Sequence, residues 1–442
     1  MMIIGNGRLV TRSEALPYLD DGAVAIEGNK ILAVGKTEEI RKQYPGAEYM
    51  DARRRLIMPG MINGHHHYYS TMARGMPNDS PPAMKFSDIL KGLWWRLDKQ
   101  LTLEDVYYSA AIPMVEQIKN GVTTVFDHHA SPYAVRGSLA KVVEAADNFG
   151  IRSSVCYEVS DRDGEKAASE GIDENVEIIK LAQSRDDDMI KGMFGLHASM
   201  TVSDETMKKC VAAMEGLDAG FHVHTAEGIE DVEDSLEKYG KRVVERWNDY
   251  GILHPKSIAV HCVHVDDKEI DILADTKVAV VHNPESNMGN AVGCTPAMKM
   301  MERGVNVGLG TDGFTFDMFE SWKVGNLIHK HVLQDSKVAW GEIPTMLFEN
   351  NARMANLHFD GQVGKLEEGY YADVILVNYN PPTRMDESNL DGHLLFGVSG
   401  RHVETTMVNG KFLMIDRELQ NIDEERIYNR ARELSDALWK RF

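Results

Sequence analysis

Histidine, the side chain that most often binds metals, gathers at a few places along this 442-residue chain. The stretch PGMINGHHHYYS carries His65, His66 and His67. Further on come His128 with His129, His222 with His224, His261 with His264, and the single His197 and His282. Side chains alternate faces along a strand, so His65 and His67 point one way and His66 the other. Two imidazoles at i and i+2 can both reach one metal at about 2.0–2.1 Å. The same alternation groups His222 with His224, of which only one need be a ligand. His224 is favoured because Glu227 follows in HTAE, where its carboxylate can overhang a metal without binding it. Asp312 closes GLGTD and adds an oxygen donor. Imidazoles with one carboxylate suit zinc or iron better than a soft, sulfur-loving metal. Cys156, Cys210, Cys262 and Cys294 lie far apart, none at a comparable position, which removes a cysteine-rich structural zinc site.

Eight short apolar runs must carry these residues: RLIMPGMINGHHH, TTVFDHH, IRSSVCYE, MIKGMFGLHA, GFHVHTAE, SIAVHCVH, VAVVHNPES and NVGLGTD. Between them, segments such as 103–119, 204–215, 232–250 and 319–333 read as amphipathic helices. Strands alternating with helices in this way predict an α/β fold, a (β/α)8 TIM barrel of parallel strands. Of the 17 histidines, 11 fall near the C-terminal ends of the runs, the rim where barrel enzymes place catalytic groups. Residues 1–58 and 361–420 read as short strands and turns, with a hairpin signal at Asn409 and Gly410. They predict one small composite β-sandwich domain built from both ends of the chain. The barrel is expected over 59–360 and an exposed C-terminal helix over 421–442.

Composition narrows the partners. Net charge is −20, from 68 acidic and 48 basic residues, so the surface repels phosphate backbones and anionic lipid. Neither a nucleic acid nor a membrane is an expected partner. No apolar run approaches the roughly 18 residues of a membrane span. The N-terminus lacks the basic and apolar regions of a signal peptide. Scattered cysteines suit a reducing compartment, so a cytoplasmic location is expected, and base rates point to a homodimer.

The motif PGMINGHHHYYS resembles the PG-[LMF]-[IV]-[ND]-x-H-x-H signature of the amidohydrolase superfamily. GLHASMTVS, HVHTAE, AVHCVH, HNPESNMGN and LGTDG follow in the order seen in its aminohydrolase and chlorohydrolase branch. That branch includes guanine, cytosine and adenosylhomocysteine deaminases and the triazine hydrolases. VGKLEEGYYADVILVNYN resembles its C-terminal strand module, so the likeness spans nearly the whole chain. LWWRLDKQLT, DHHASP and HNPESNM are similar to a poorly characterised bacterial aminohydrolase subgroup.

The resemblance implies one divalent metal, Zn2+ or Fe2+, held by His65, His67, His224 and Asp312. Binuclear relatives carry a bridging carboxylated lysine where the fourth run here ends in His197, which favours a single ion. It further implies that Glu227 shuttles protons, His261 holds the water on the metal, and His197 contacts the substrate. Ser286 and Asn287 match a substrate-side loop. Asp88 is the nearest counterpart of a substrate-binding glutamate upstream of a tryptophan, a departure from that pattern. Trp94, Trp95, Tyr68, Phe314 and Phe316 lie near the rim, where they can stack on a flat heterocycle. His128, His129 and Glu158 end the second and third runs without an assigned role.

The expected reaction is hydrolytic deamination of a purine-, pterin- or pyrimidine-like small molecule. A bound metal supplies hydroxide, Asp312 takes the water proton, and Glu227 passes protons to the ring and the leaving amine. Removal of ring chloride or opening of a cyclic amide is the alternative. GLGTDG formally fits the dinucleotide fingerprint, but it closes a run and sets Asp312 where phosphate would lie. A metal-storage protein would leave Glu227 and His261 without a purpose. The P-C-x-x-C motif of the zinc nucleobase deaminases is absent.

Overall fold

Parallel strands covered on both faces read as continuous apolar runs, and the eight runs become the strands of a barrel. The computed structural model describes residues 1–442. In chain order the barrel strands are Met61–His66, Val122–His129, Arg152–Tyr157 and a fourth split into Ile190–Gly192 and Phe194–Leu196. Phe221–Thr225, Ile258–His261, Ala279–His282 and Asn306–Leu309 complete the set. Neighbours pair in parallel within each half of the barrel. Two parallel bridges join the halves, Val159 with Leu196 and His66 with Asp312. The second bridge sets the ends of the first and eighth strands side by side. Val223, Ala259, Val280 and Val307 stand at matching levels on the last four strands and are fully buried in the largest core cluster.

Helices cover the outside. Thr102 and Asp105 cap the start of Leu103–Lys119 reciprocally, and Ser203 caps Asp204–Ala213. The single helix expected over 232–250 is two, Ile229–Tyr239 and Val243–Asp249. Gly240, at φ 64°, ends the first in the left-handed conformation. After the first barrel strand the chain crosses the barrel mouth. There Phe86–Ile89 and Trp95–Leu97 flank a π-turn at Leu90–Trp94, a widening that recurs at functional sites.

Both chain ends share one nine-stranded sheet. The N-terminal part supplies Met2–Val10, Tyr18–Glu27, Lys30–Lys36, Glu48–Asp51 and Leu56–Pro59. The C-terminal part supplies Val374–Val377, Val403–Val408, Lys411–Ile415 and Glu418–Leu419. They meet where Leu56–Pro59 pairs antiparallel with Val374–Val377. Gly60 turns the chain from sheet into barrel, and a Cβ there would lie 2.2 Å from Thr123. Arg152 on the third barrel strand forms a buried ion pair with Asp373, tying barrel to sheet. The C-terminal helix Glu424–Trp439 is docked rather than exposed. Leu434 and Leu438 are buried, and Trp439 Nε1 donates to the Met72 carbonyl. No helix is long and apolar enough to cross a membrane.

Candidate active site

The histidines converge at the C-terminal rim. His67 Nδ1 lies 2.5 Å from the His128 carbonyl, and His224 Nδ1 lies 2.9 Å from the His197 carbonyl. A carbonyl only accepts, so each ring carries its proton on Nδ1 and presents a lone pair at Nε2. Those two Nε2 atoms face each other at 3.1 Å. His65 Nδ1 meets His222 Nε2 at 2.9 Å, while His65 Nε2 is buried without a hydrogen-bond partner. Asp312 Oδ1 stands 3.2 Å from His67 Nε2 and 3.6 Å from His65 Nε2. Burial drives His65, His67 and His224 below the usual imidazole range and keeps them neutral. Burial also opposes ionisation of Asp312, but the surrounding imidazoles, His65 first, outweigh it and hold the carboxyl well below its usual range. Converging lone pairs, a carboxylate and an orphaned ring nitrogen repel one another unless a cation lies between them. The residues therefore fit a divalent metal.

A second trio borders this set. His261 ends the sixth strand at φ 69°, and Asp312 follows the eighth at φ 52°, left-handed backbone of the kind found at functional sites. His261 Nδ1 donates to Asn287 Oδ1 at 2.8 Å. Its Nε2 then faces Glu227 Oε2 at 3.4 Å and Asp312 Oδ2 at 3.9 Å. Asn290 Nδ2 donates to Glu227 Oε1 at 3.3 Å, and Ser286 Oγ donates to Asp312 Oδ2 at 2.5 Å. Burial, helped by Asp312, pushes the Glu227 carboxyl well above its usual range and keeps it the acid. An acid, a ring nitrogen and a carboxylate around one point can move protons between a water and a bound ring.

A cavity of about 290 Å³ opens above this point. Phe86, Leu90, Leu93, Trp94 and Trp95 form one wall, and Ser286, Asn290 and Phe314 part of another. Its size and flat apolar walls suit a small ring system.

The structure brings His65, His67, His224, Glu227, His261 and Asp312 together and lines the cavity with His197, Trp95 and Ser286. Asp88 is outside it. Phe86, Ile89, Leu90 and Leu93 face the cavity at helical spacing, whereas Asp88 falls off that face and accepts from the Met84 N–H at 3.0 Å. Trp94 and Phe314 reach the cavity. Tyr68 is fully buried and Phe316 packs on His66, so neither does. Three further residues matter. His222 orients His65, and strand alternation already put it beside His224. Asn287 orients His261 through a contact between the short helix Pro284–Gly289, after the seventh strand, and the end of the sixth, which no local pattern announces. Glu158 lines the cavity. Burial opposes its ionisation, but His197, His128 and Arg162 outweigh burial and hold it far below the usual carboxylate range.

Residues 56–413 match the amidohydrolase family, well over half of the chain. The chain belongs to that family. Residues 22–47 also match an imidazolonepropionase-like composite domain of bacteria. This amidohydrolase is 32% identical over 432 residues to a 5-methylthioadenosine/S-adenosylhomocysteine deaminase of Caldanaerobacter subterraneus subsp. tengcongensis, covering 97% of this chain and 96% of that one. It is equally 32% identical to a 5'-deoxyadenosine deaminase of Methanosarcina mazei, over 99% of this chain and 98% of that one. An adenosine deaminase structure from Xanthomonas campestris with bound zinc aligns at TM-score 0.87 and 24% identity, covering 99% and 98% of the two chains. At that identity the likeness speaks for the fold. The relatives place this amidohydrolase in the deaminase branch, among hydrolases of carbon–nitrogen bonds other than peptide bonds.

Proposed function

We propose that this amidohydrolase removes an amino group from a nitrogen heterocycle by hydrolysis, with His65, His67, His224 and Asp312 holding one divalent metal. The carrying observation is the convergence of Glu227, His261 and Asp312 at the edge of the donor set, beneath a cavity with aromatic walls. Bound there, the metal lowers the pKa of water from 15.7 to about 7 and so makes hydroxide available at neutral pH.

The side chains do the rest. His261, fixed by Asn287, accepts a hydrogen bond at Nε2 from the attacking water and aims it at the ring carbon. Asp312 takes the proton that the water loses. Glu227 starts protonated, gives its proton to the ring nitrogen beside that carbon, relays the proton from Asp312 to the departing amine, and regains its own from the attacking oxygen as that oxygen becomes the product carbonyl. Ser286 anchors Asp312 Oδ2 throughout, and Trp95 and His197 hold the ring from the side.

The relatives deaminate, by name, methylthioadenosine, S-adenosylhomocysteine and 5'-deoxyadenosine, so adenine nucleosides altered at the 5' position head the substrates to test. Three imidazoles and a carboxylate suit zinc, which is also the ion in the Xanthomonas structure; iron is the other candidate. All four cysteines are free, in keeping with a cytoplasmic enzyme. A homodimer is the default assembly on base rates, which light scattering reads directly. The test of the reaction is ammonia release from a panel of adenine nucleosides, purines, pterins and pyrimidines, with metal analysis of the same sample. Ammonia from at least one member with about one metal per chain is expected; no ammonia from any member contradicts the proposal.

A further inference from the structure

One cavity carboxylate has no part in this chemistry. Glu158 follows the third barrel strand, is 5% exposed, and lines the cavity together with His197 and Trp95. Its backbone N–H is tied to the His129 carbonyl at 2.7 Å, which fixes where the side chain starts. Oε2 lies 3.3 Å from His128 Nδ1. Oε1 lies 3.7 Å from His197 Nε2 and 3.9 Å from Arg162. Both Oε1 separations exceed a hydrogen bond. Arg162 is committed to Asp98 and also pairs with Asp163, so it backs Glu158 without capping that oxygen. On the same wall, Trp95 Nε1 is buried and has no partner.

An ionised carboxylate only accepts hydrogen bonds, and an oxygen that faces the cavity with no protein donor is open to one from a ligand. The His224 ring separates this acceptor from the proton-transfer trio. Its centroid lies 5.6 Å from that of His261 on one side and 5.7 Å from that of His197 on the other. A heterocycle that places its amino-bearing carbon at Glu227 and His261 thus turns its far edge to Glu158.

We infer that Glu158 sets substrate specificity by accepting a hydrogen bond from a donor on the substrate edge remote from the amino group, either a sugar hydroxyl or a ring N–H. The inference rests on the heterocycle reading above. Ligand atoms of His67, His128, Glu158 and His224 also lie within 4.8 Å of one another, which raises the alternative of a second metal. Against it, His67 and His224 each have one free nitrogen, Nε2, and both are already turned into the first donor set.

The experiment is calorimetric binding to zinc-loaded protein in a Glu227→Gln background, so that the readout is affinity and not turnover. The ligands are adenosine, 2',3'-dideoxyadenosine, adenine and 9-methyladenine. Glu158→Gln should weaken adenosine or adenine by about 10–100-fold and leave the counterpart that lacks the 2' and 3' hydroxyls or the ring N–H within a few-fold. A loss for adenosine but not for the dideoxynucleoside assigns the donor to the 2' or 3' hydroxyl. A loss for adenine but not for 9-methyladenine assigns it to the ring N–H. Glu158→Asp keeps the charge beside Arg162 but withdraws the oxygen, and should show the same selective loss. Equal weakening of all four ligands, no binding of any of them before Glu158 is changed, or a fall from two zinc ions per chain to one on changing Glu158 would overturn the inference. Selective loss in a protein that releases no ammonia from any substrate upholds Glu158 and removes the deaminase reading instead.

Discussion

The Nε2 atoms of His67 and His224 face each other at 3.1 Å, each on a ring whose Nδ1–H is spent on a backbone carbonyl. Two lone pairs so close repel, and the arrangement persists only if something positive draws them together. Metal removal should therefore cost stability. Chelator-treated protein should melt several degrees lower than zinc-loaded protein and recover on adding zinc. That corresponds to about 2.7–4.1 kcal/mol when free zinc exceeds its dissociation constant by 100–1,000-fold. Differential scanning calorimetry checks this, and His67→Ala should abolish the zinc response.

Asn287 acts through His261. Its Oδ1 holds the Nδ1–H of His261 at 2.8 Å, which fixes the tautomer and aims Nε2 at Glu227 and Asp312. Loss of such an orienting partner typically costs about 10–100-fold in activity. Asn287→Ala should lower kcat by that amount with unchanged metal content. Steady-state kinetics and metal analysis on one preparation measure both.

Glu285 gives a pH dependence away from the metal. Burial pushes its carboxyl up to about 8 from 4.5, and neither carboxylate oxygen has a hydrogen-bond partner. The unfolded chain ionises Glu285 near 4.5 and the folded protein only near 8, so between those values the folded state binds more protons. Stability must then fall as pH rises through that window. Glu285→Gln removes this term and should stabilise the protein at pH 9 by up to roughly 5 kcal/mol relative to its effect at pH 4. Urea unfolding at the two pH values reads the difference.

Much of this was legible in the sequence. Barrel strands buried on both faces leave short apolar, β-branched runs that alternate with longer amphipathic segments, and their histidine-bearing ends marked the rim. What escaped was set by three-dimensional phase and contact. Asp88 looked like a substrate ligand by position along the chain, yet helical phase turns it off the face that carries Phe86, Ile89 and Leu90. The helix break at Gly240 rests on one left-handed residue inside an otherwise continuous amphipathic pattern. Trp439 and Leu438 seat the last helix on residues hundreds of positions away, and Asn287 meets His261 only because the sixth and seventh strands are neighbours.

The central claim is that Glu227 moves the protons of a hydrolytic deamination without binding the metal. The direct measurement is ammonia release and metal content for the wild type and Glu227→Gln, side by side, on the best substrate of the panel. Equal metal in both proteins and a turnover about 10²–10⁴-fold lower in the variant are expected. A variant that releases ammonia at the wild-type rate, or one that has lost its metal, would contradict the claim.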